Sequence, residues 1–146
     1  MPHKVYLDNC CFNRPYDDQR QVRIRIEAEA KLYIQTNIEQ GNVNLVWSYI
    51  LDYENAANPY EIRQIAIQKW KNKASDIVTE NETVLKQAQK LNKLNLKAKD
   101  ALHVACAVYA GCEYFLTTDD HILGKADSID ELEVKSPEEM LKILEQ

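Results

Sequence analysis

At 146 residues the chain is long enough to bury one core and short for two, so it is read as a single domain over residues 1–146. With 45% hydrophobic and 28% charged residues, three Gly and four Pro, its composition is globular rather than disordered. No run of 18 apolar residues occurs, the N-terminal MPHKVYLDNCC lacks a signal-like apolar stretch, and the formal charge of −5 argues against an indiscriminate nucleic-acid binder.

The opening VYL, residues 5–7, reads as a buried strand ending at Asp8, followed by a polar loop through NRPYDDQ. Arg20 to about Gln40 reads as a long helix stopped by Gly41-Asn42. VNLVW, residues 43–47, is a second buried strand. Ser48 then stands where an N-cap belongs, ahead of a helix that carries Glu54 and ends at Asn58-Pro59. Residues 60–79 and 81–93 follow helical spacing. Ala98–Ala110 is an alanine-rich helix closed by Gly111, and YFLTT, residues 114–118, is a third buried strand ending at Asp119. A short helix, a fourth strand near Leu132–Val134 and a last helix complete the pattern. That last helix has a capping box from Ser136 and Glu139, with Pro137 at its first position.

Strands alternating with helices predict an α/β fold: a mostly parallel sheet of about four strands with helices on both faces. In such a sheet Asp8 and Asp119 emerge at the same edge, where ligands of open α/β folds sit. Asp100, in the first turn of its helix, and Glu54, on the helix after strand two, start from that edge as well. Two carboxylates about 5 Å apart repel by roughly 3 kcal/mol at an effective dielectric near 20, so four together require protons or cations. Carboxylate oxygens suit a hard cation, and no Cys/His cluster competes for a softer one. One or two Mg²⁺ or Mn²⁺ ions are therefore expected, with metal-assisted phosphodiester hydrolysis as the matching chemistry.

The order and separation of these motifs resemble the PIN domain family, most closely VapC-type toxins. They are an Asp closing the first strand, Glu54 six residues after Ser48, DALHVACA opening with Asp100, and LTTDD around Asp119. The resemblance spans essentially the whole chain. It implies a PIN fold, a Mg²⁺- or Mn²⁺-dependent ribonuclease, frequent homodimerisation and a cognate antitoxin protein. The family's acidic quartet falls on Asp8, Glu54, Asp100 and Asp119, and its hydroxyl before the last Asp falls on Thr117. The chain departs from the family pattern at Asn9, where a hydroxyl is usual, and at His121, where a further acid often stands.

Each residue also has a plainer reading. Asp100 could complement the helix dipole and Asp8 could cap a turn. Asp120 competes with Asp119, and Asp52 with Glu54; two positions apart on a helix, Asp52 and Glu54 face about 200° from one another, so only one enters the site. His103, three residues after Asp100, shares its face and reads first as a hydrogen-bonded histidine, second as a substrate or outer contact. Residues 86–99 carry five lysines and no acid, whereas residues 119–146 carry nine acids and three lysines. Arg14, Lys97 and Lys99 are thus candidate RNA contacts, with Arg20, Arg23 and Arg25 near the first loop, although a lysine stripe is more often a solvated face. Trp47, Trp70 and the helical tyrosines are expected in the core or a dimer interface. Cys10, Cys11, Cys106 and Cys112 read as reduced cytosolic thiols, mostly buried. Two other functions stay open: a non-catalytic scaffold binding RNA or protein, and a receiver- or phosphatase-like phosphoryl-transfer protein.

Overall fold

A computed structural model describes residues 2–145. Five parallel strands form one sheet: β1 (His3–Leu7), β2 (Val43–Ser48), β3 (Asp76–Val78), β4 (Tyr114–Leu116) and β5 (Glu133–Lys135), in the spatial order β3-β2-β1-β4-β5. Parallel strands need crossovers, and helices supply them: α1 (Asn9–Asn13) and α2 (Val22–Glu39), then α3 (Tyr49–Ala56) and α4 (Glu61–Gln68). Next come α5 (Glu82–Asn92) and α6 (Ala98–Tyr109), α7 (Asp120–Leu123), and finally α8 (Pro137–Leu144). The α2 helix packs on α8 and β2, and α6 on α5 and α3.

The sheet order places β1 at the centre, with chain progressing outward to β2 and β3 on one side and to β4 and β5 on the other. That reversal is the topological switch point, and it opens a crevice between the carboxyl ends of β1 and β4. Val5, Tyr6 and Leu7 are wholly buried, as expected of a strand covered on both faces. Tyr6 stacks on Phe115, and Phe12 meets Trp47 edge-on with centroids 5.4 Å apart. Each such large side chain contributes roughly 1.5–3 kcal/mol of hydrophobic stabilisation.

Local signals explain most element boundaries. Ser48 Oγ accepts the Leu51 N–H and caps α3. Ser136 and Glu139 form the reciprocal capping box of α8, each accepting the other's backbone N–H. Gly41 and Gly111 close α2 and α6 at φ +82° and +75°, where the following N–H groups of Asn42 and Cys112 reach back to Asn37 and Ala107.

The structure corrects the predicted elements at several places. The sheet has five strands, because residues 60–79 are not continuous helix: α4 ends at Gln68, a 3-10 turn covers Lys69–Lys73, and β3 joins the edge beside β2. Three residues in register with Val46, Trp47 and Ser48 are too few to show a period of their own. The stretch after Asp8 begins as α1 rather than loop. Strand three stops at Leu116, leaving Thr117 and Thr118 beyond it, and strand four runs over Glu133–Lys135. Trp47 is core as expected, but Tyr53 and Tyr60 stand exposed on the α3–α4 side. All four cysteines are free, with Cys10 half-buried and the others buried; burial pushes the Cys106 and Cys112 thiols up to about 12, which keeps them protonated. No helix among the described residues is long and apolar enough to cross a membrane.

Candidate metal centre

Asp8 follows β1 directly and is the N-cap of α1. Its Oδ1 accepts the Asn9 N–H at 2.8 Å, and its Oδ2 accepts the Thr117 hydroxyl at 2.8 Å and the Cys10 thiol at 3.4 Å. Thr117 in turn accepts the Asp119 N–H at 3.1 Å. One hydroxyl therefore ties the end of β1 to the loop after β4. Asp119 is the N-cap of α7, its Oδ1 accepting the His121 N–H at 2.8 Å and the Ile122 N–H at 3.4 Å. The second oxygen of Asp119 receives no hydrogen bond among the described residues.

The two choices between neighbouring acids resolve through their partners. Asp52 accepts the indole N–H of buried Trp47 at 2.9 Å, the Gln68 amide at 2.8 Å and the Lys71 ammonium at 3.0 Å, so it satisfies the core rather than the crevice. Glu54 points the other way, against His103 Nε2. Asp120 is exposed and gripped by Arg23, whose guanidinium also donates to the Thr118 carbonyl and to buried Glu27. That hydrogen bonding holds the Asp120 carboxyl below its ordinary value.

His103, on α6, is 1% exposed and bonded at both ring nitrogens: Nδ1 to the Tyr6 hydroxyl at 2.6 Å, Nε2 to Glu54. Nε2 is also 3.8 Å from Asp8 Oδ1. Burial pushes the imidazole pKa down, but the Glu54 bond and the charges of Asp8, Glu54 and Asp100 outweigh it, so the net shift is upward. Tyr6 is bonded to Ser48 Oγ at 2.6 Å, and burial holds its phenol well above the ordinary range. Sequence reading missed Tyr6 and Ser48 as supports of the site. The signal was present: a tyrosine in a doubly covered strand has to find a partner for its hydroxyl.

Asp8, Glu54 and His103 each bring one donor atom into a group in which all lie within 4.8 Å of one another. Asp100, half-buried in the first turn of α6, lies outside that group and receives no hydrogen bond among the described residues. Burial raises its carboxyl, and the charges of Asp8, Asp119 and Glu54 raise it further. An Asp100 carboxyl raised by its burial and by neighbouring acids, with no lysine or arginine paired to Asp8, Glu54, Asp100 or Asp119 among the described residues, fits the chemistry of a divalent-cation site. None of the basic candidates pairs with these four acids among the described residues. Arg14 pairs with Asp17 and Glu27, Lys97 precedes α6 exposed, and exposed Lys99 lies over the Tyr53 ring at 5.5 Å. Asn9 opens α1 beside Asp8, its side chain accepting from Asn13.

A family comparison matches residues 5–128 to the PIN domain. The chain belongs to the PIN domain family. Solved structures agree on the fold. VapBC2 from Rickettsia felis, determined bound to a DNA fragment from their promoter, aligns with a TM-score of 0.58 at 10% identity, covering 91% of this chain and 98% of that one. VapBC-1 from nontypeable Haemophilus influenzae aligns with a TM-score of 0.58 at 18% identity, covering 92% and 98%. No curated protein matches this PIN chain by sequence.

Proposed function

We propose that this PIN domain is a divalent-metal-dependent endoribonuclease, acting in the cytoplasm as the toxin of a toxin–antitoxin pair. The observation that carries the reading is the convergence of Asp8, Glu54, Asp100 and Asp119 from four separate segments on one sheet edge, with an Asp100 carboxyl raised by its burial and its acidic neighbours. A bound Mg²⁺ or Mn²⁺ would activate water and stabilise the leaving oxygen of an RNA phosphodiester. The protein's part is positional. Asp8 and Glu54 orient the cation, and Asp100 and the free oxygen of Asp119 complete its acidic surround. Thr117 fixes the spacing between the Asp8 and Asp119 loops. No covalent protein intermediate is required.

Two observations support protein partners. The similar structures are of VapBC assemblies, which favours an antitoxin partner. Tyr53, Tyr60, Ile62 and Ile65 leave apolar surface exposed along α3 and α4, suited to an antitoxin segment or a homodimer contact.

The test is incubation of purified protein with a mixed RNA pool in Mg²⁺, in Mn²⁺ and in EDTA, alongside Asp8→Asn and Asp100→Asn. Cleavage that needs metal and fails in both variants is expected. Metal-independent cleavage, or full activity in both variants, sinks the reading; RNA binding with no cleavage in any metal would instead identify a scaffold. Millimolar cation should also raise the melting temperature, since only the folded chain assembles the site.

A further inference from the structure

We infer that His103 Nε2 is itself a ligand of the cation, together with Asp8 and Glu54, and that this biases the site toward Mn²⁺ and the later transition ions over Mg²⁺. The inference rests on the reading of this cluster as a divalent-cation site and adds a nitrogen donor to the acidic quartet.

Donors about 2.1 Å from a common ion stand roughly 3 to 4.2 Å apart, depending on whether they are adjacent or opposite. The Asp8, Glu54 and His103 donor atoms already lie within 4.8 Å of one another, and Glu54, the least buried of the three, now touches His103 Nε2 and would swing back from it to admit the ion between them. Asp100 and Asp119 fall outside this group and would act on bound water or on a further position.

The far nitrogen of the imidazole is also held. Metal-binding histidines hold the remaining ring nitrogen with an outer partner, which fixes both tautomer and orientation. His103 Nδ1 has that partner in Tyr6, at 2.6 Å, and Tyr6 is anchored to Ser48, whose Oγ also accepts the Leu51 N–H at 3.3 Å. Tyr6, Ser48 and His103 are all buried on rigid elements, so Nε2 is aimed at the acids without freedom to swing away.

This chain of groups can be polarised in either direction. Without a cation, Nε2–H donates to Glu54, the Tyr6 hydroxyl donates to Nδ1, and Ser48 donates to Tyr6. With a cation on Nε2, Nδ1–H donates to the Tyr6 oxygen and Tyr6 donates to Ser48. Both arrangements contain the same three protons on imidazole, phenol and hydroxyl. Binding therefore needs no proton added to or removed from the chain of groups.

Selectivity then follows from ligand type. Mg²⁺ prefers oxygen donors and retains its waters, whereas imidazole suits Mn²⁺ progressively less than Fe²⁺, Co²⁺ and Zn²⁺ but better than it suits Mg²⁺.

The decisive measurement is electron spin-echo envelope modulation of Mn²⁺ bound to the full-length, RNA-free protein. A directly bonded ¹⁴N signal is expected in the wild type, altered by ¹⁵N-histidine labelling and lost in His103→Gln. By calorimetry, Mn²⁺ should bind at least tenfold tighter than Mg²⁺, and His103→Gln should shrink that ratio. Tyr6→Phe should weaken Mn²⁺ binding about tenfold while keeping the nitrogen signal. Bound Mn²⁺ without nitrogen coupling, or an unchanged ratio in His103→Gln, overturns the inference even if RNA is cleaved. If His103→Gln does not fold, the labelled wild type decides alone. Nitrogen-coupled Mn²⁺ in a protein that never cuts RNA would leave this inference standing and end the nuclease reading. No binding of either ion ends both.

Discussion

Two groups of carboxylates in the molecule differ in what surrounds them. Buried Glu27 is held by Arg14 at 2.9 Å and Arg23 at 3.2 Å, and Arg23 continues to Asp120 at 2.7 Å. Every acid there has a guanidinium from its own chain. Of Asp8, Glu54, Asp100 and Asp119, none is paired with a lysine or arginine among the described residues; the only basic side chain that meets any of them is the imidazole of His103, and Asp100 is left with its carboxyl raised. The first group is finished by folding; the second is finished by something from outside. A buried carboxylate thus reveals its purpose less by its position than by whether the chain supplies its countercharge.

Substitutions should separate the two groups, starting with the largest effect. Asp8→Asn and Asp100→Asn are each expected to lower RNA cleavage by about a hundredfold or more, since each removes charge where a cation must be oriented. Their stability should stay within about 1 kcal/mol of wild type, because a repulsion is relieved as a ligand is lost. Cleavage assays with urea titrations on the same preparations check both halves. Glu27→Gln should do the reverse. It removes the buried carboxylate from two guanidinium groups, each of which keeps a second acid in Asp17 or Asp120, and costs about 1–3 kcal/mol, while the cation-induced rise in melting temperature persists. A stable Glu27→Gln protein would erase the contrast.

Lys31 is a cation on the structural side that has no acid. It is buried between the Phe12 and Trp70 rings, with its Nζ 5.1 and 5.5 Å from their centroids. Glu27, one turn back, is committed to Arg14 and Arg23, and the nearest titratable neighbour is the buried Cys11 thiol. Burial pushes the Lys31 pKa down to about 7. Unfolded, the same lysine titrates at about 10.4. Between these values the unfolded chain binds more protons, so stability rises with pH across that window and the penalty is complete below about 7. Lys31→Met should flatten this slope, its gain being about 4 kcal/mol larger at pH 7 than at pH 11 in urea denaturation. A smaller effect, about 1 kcal/mol, is expected for Gly111→Ala, whose φ of +75° disfavours a side chain although the space a methyl group would fill has no neighbour within 4 Å. Thermal melts resolve it.

The sequence made legible what depends on local pattern. Asp8 and Asp119 at the ends of two parallel strands, Ser48 and Ser136 as caps, and Gly111 as a helix stop all follow from neighbours in the chain. That Asp52 and Glu54 face apart followed from helical geometry, and the Trp47 indole explains why Asp52 is the one turned to the core. The missing parts are pairings across the fold. β3 is only three residues long, and its partner β2 lies about 30 positions away. Arg23 reads as a phosphate contact, because nothing local announces that Asp120 and the Thr118 carbonyl will meet it across 97 and 95 residues. Tyr6 reads as core because its hydroxyl partners sit 42 and 97 residues away.

The all-parallel sheet also divides labour between its two rims. The acids gather where strands end, whereas the turns at Gly41-Asn42 and Gly111-Cys112 lie where strands begin, closed by their own backbone hydrogen bonds. For anyone attaching a fluorophore, a surface tether or an inserted peptide, that far rim is the natural handle. A label there reports on the molecule with a full sheet's length between it and the carboxylates.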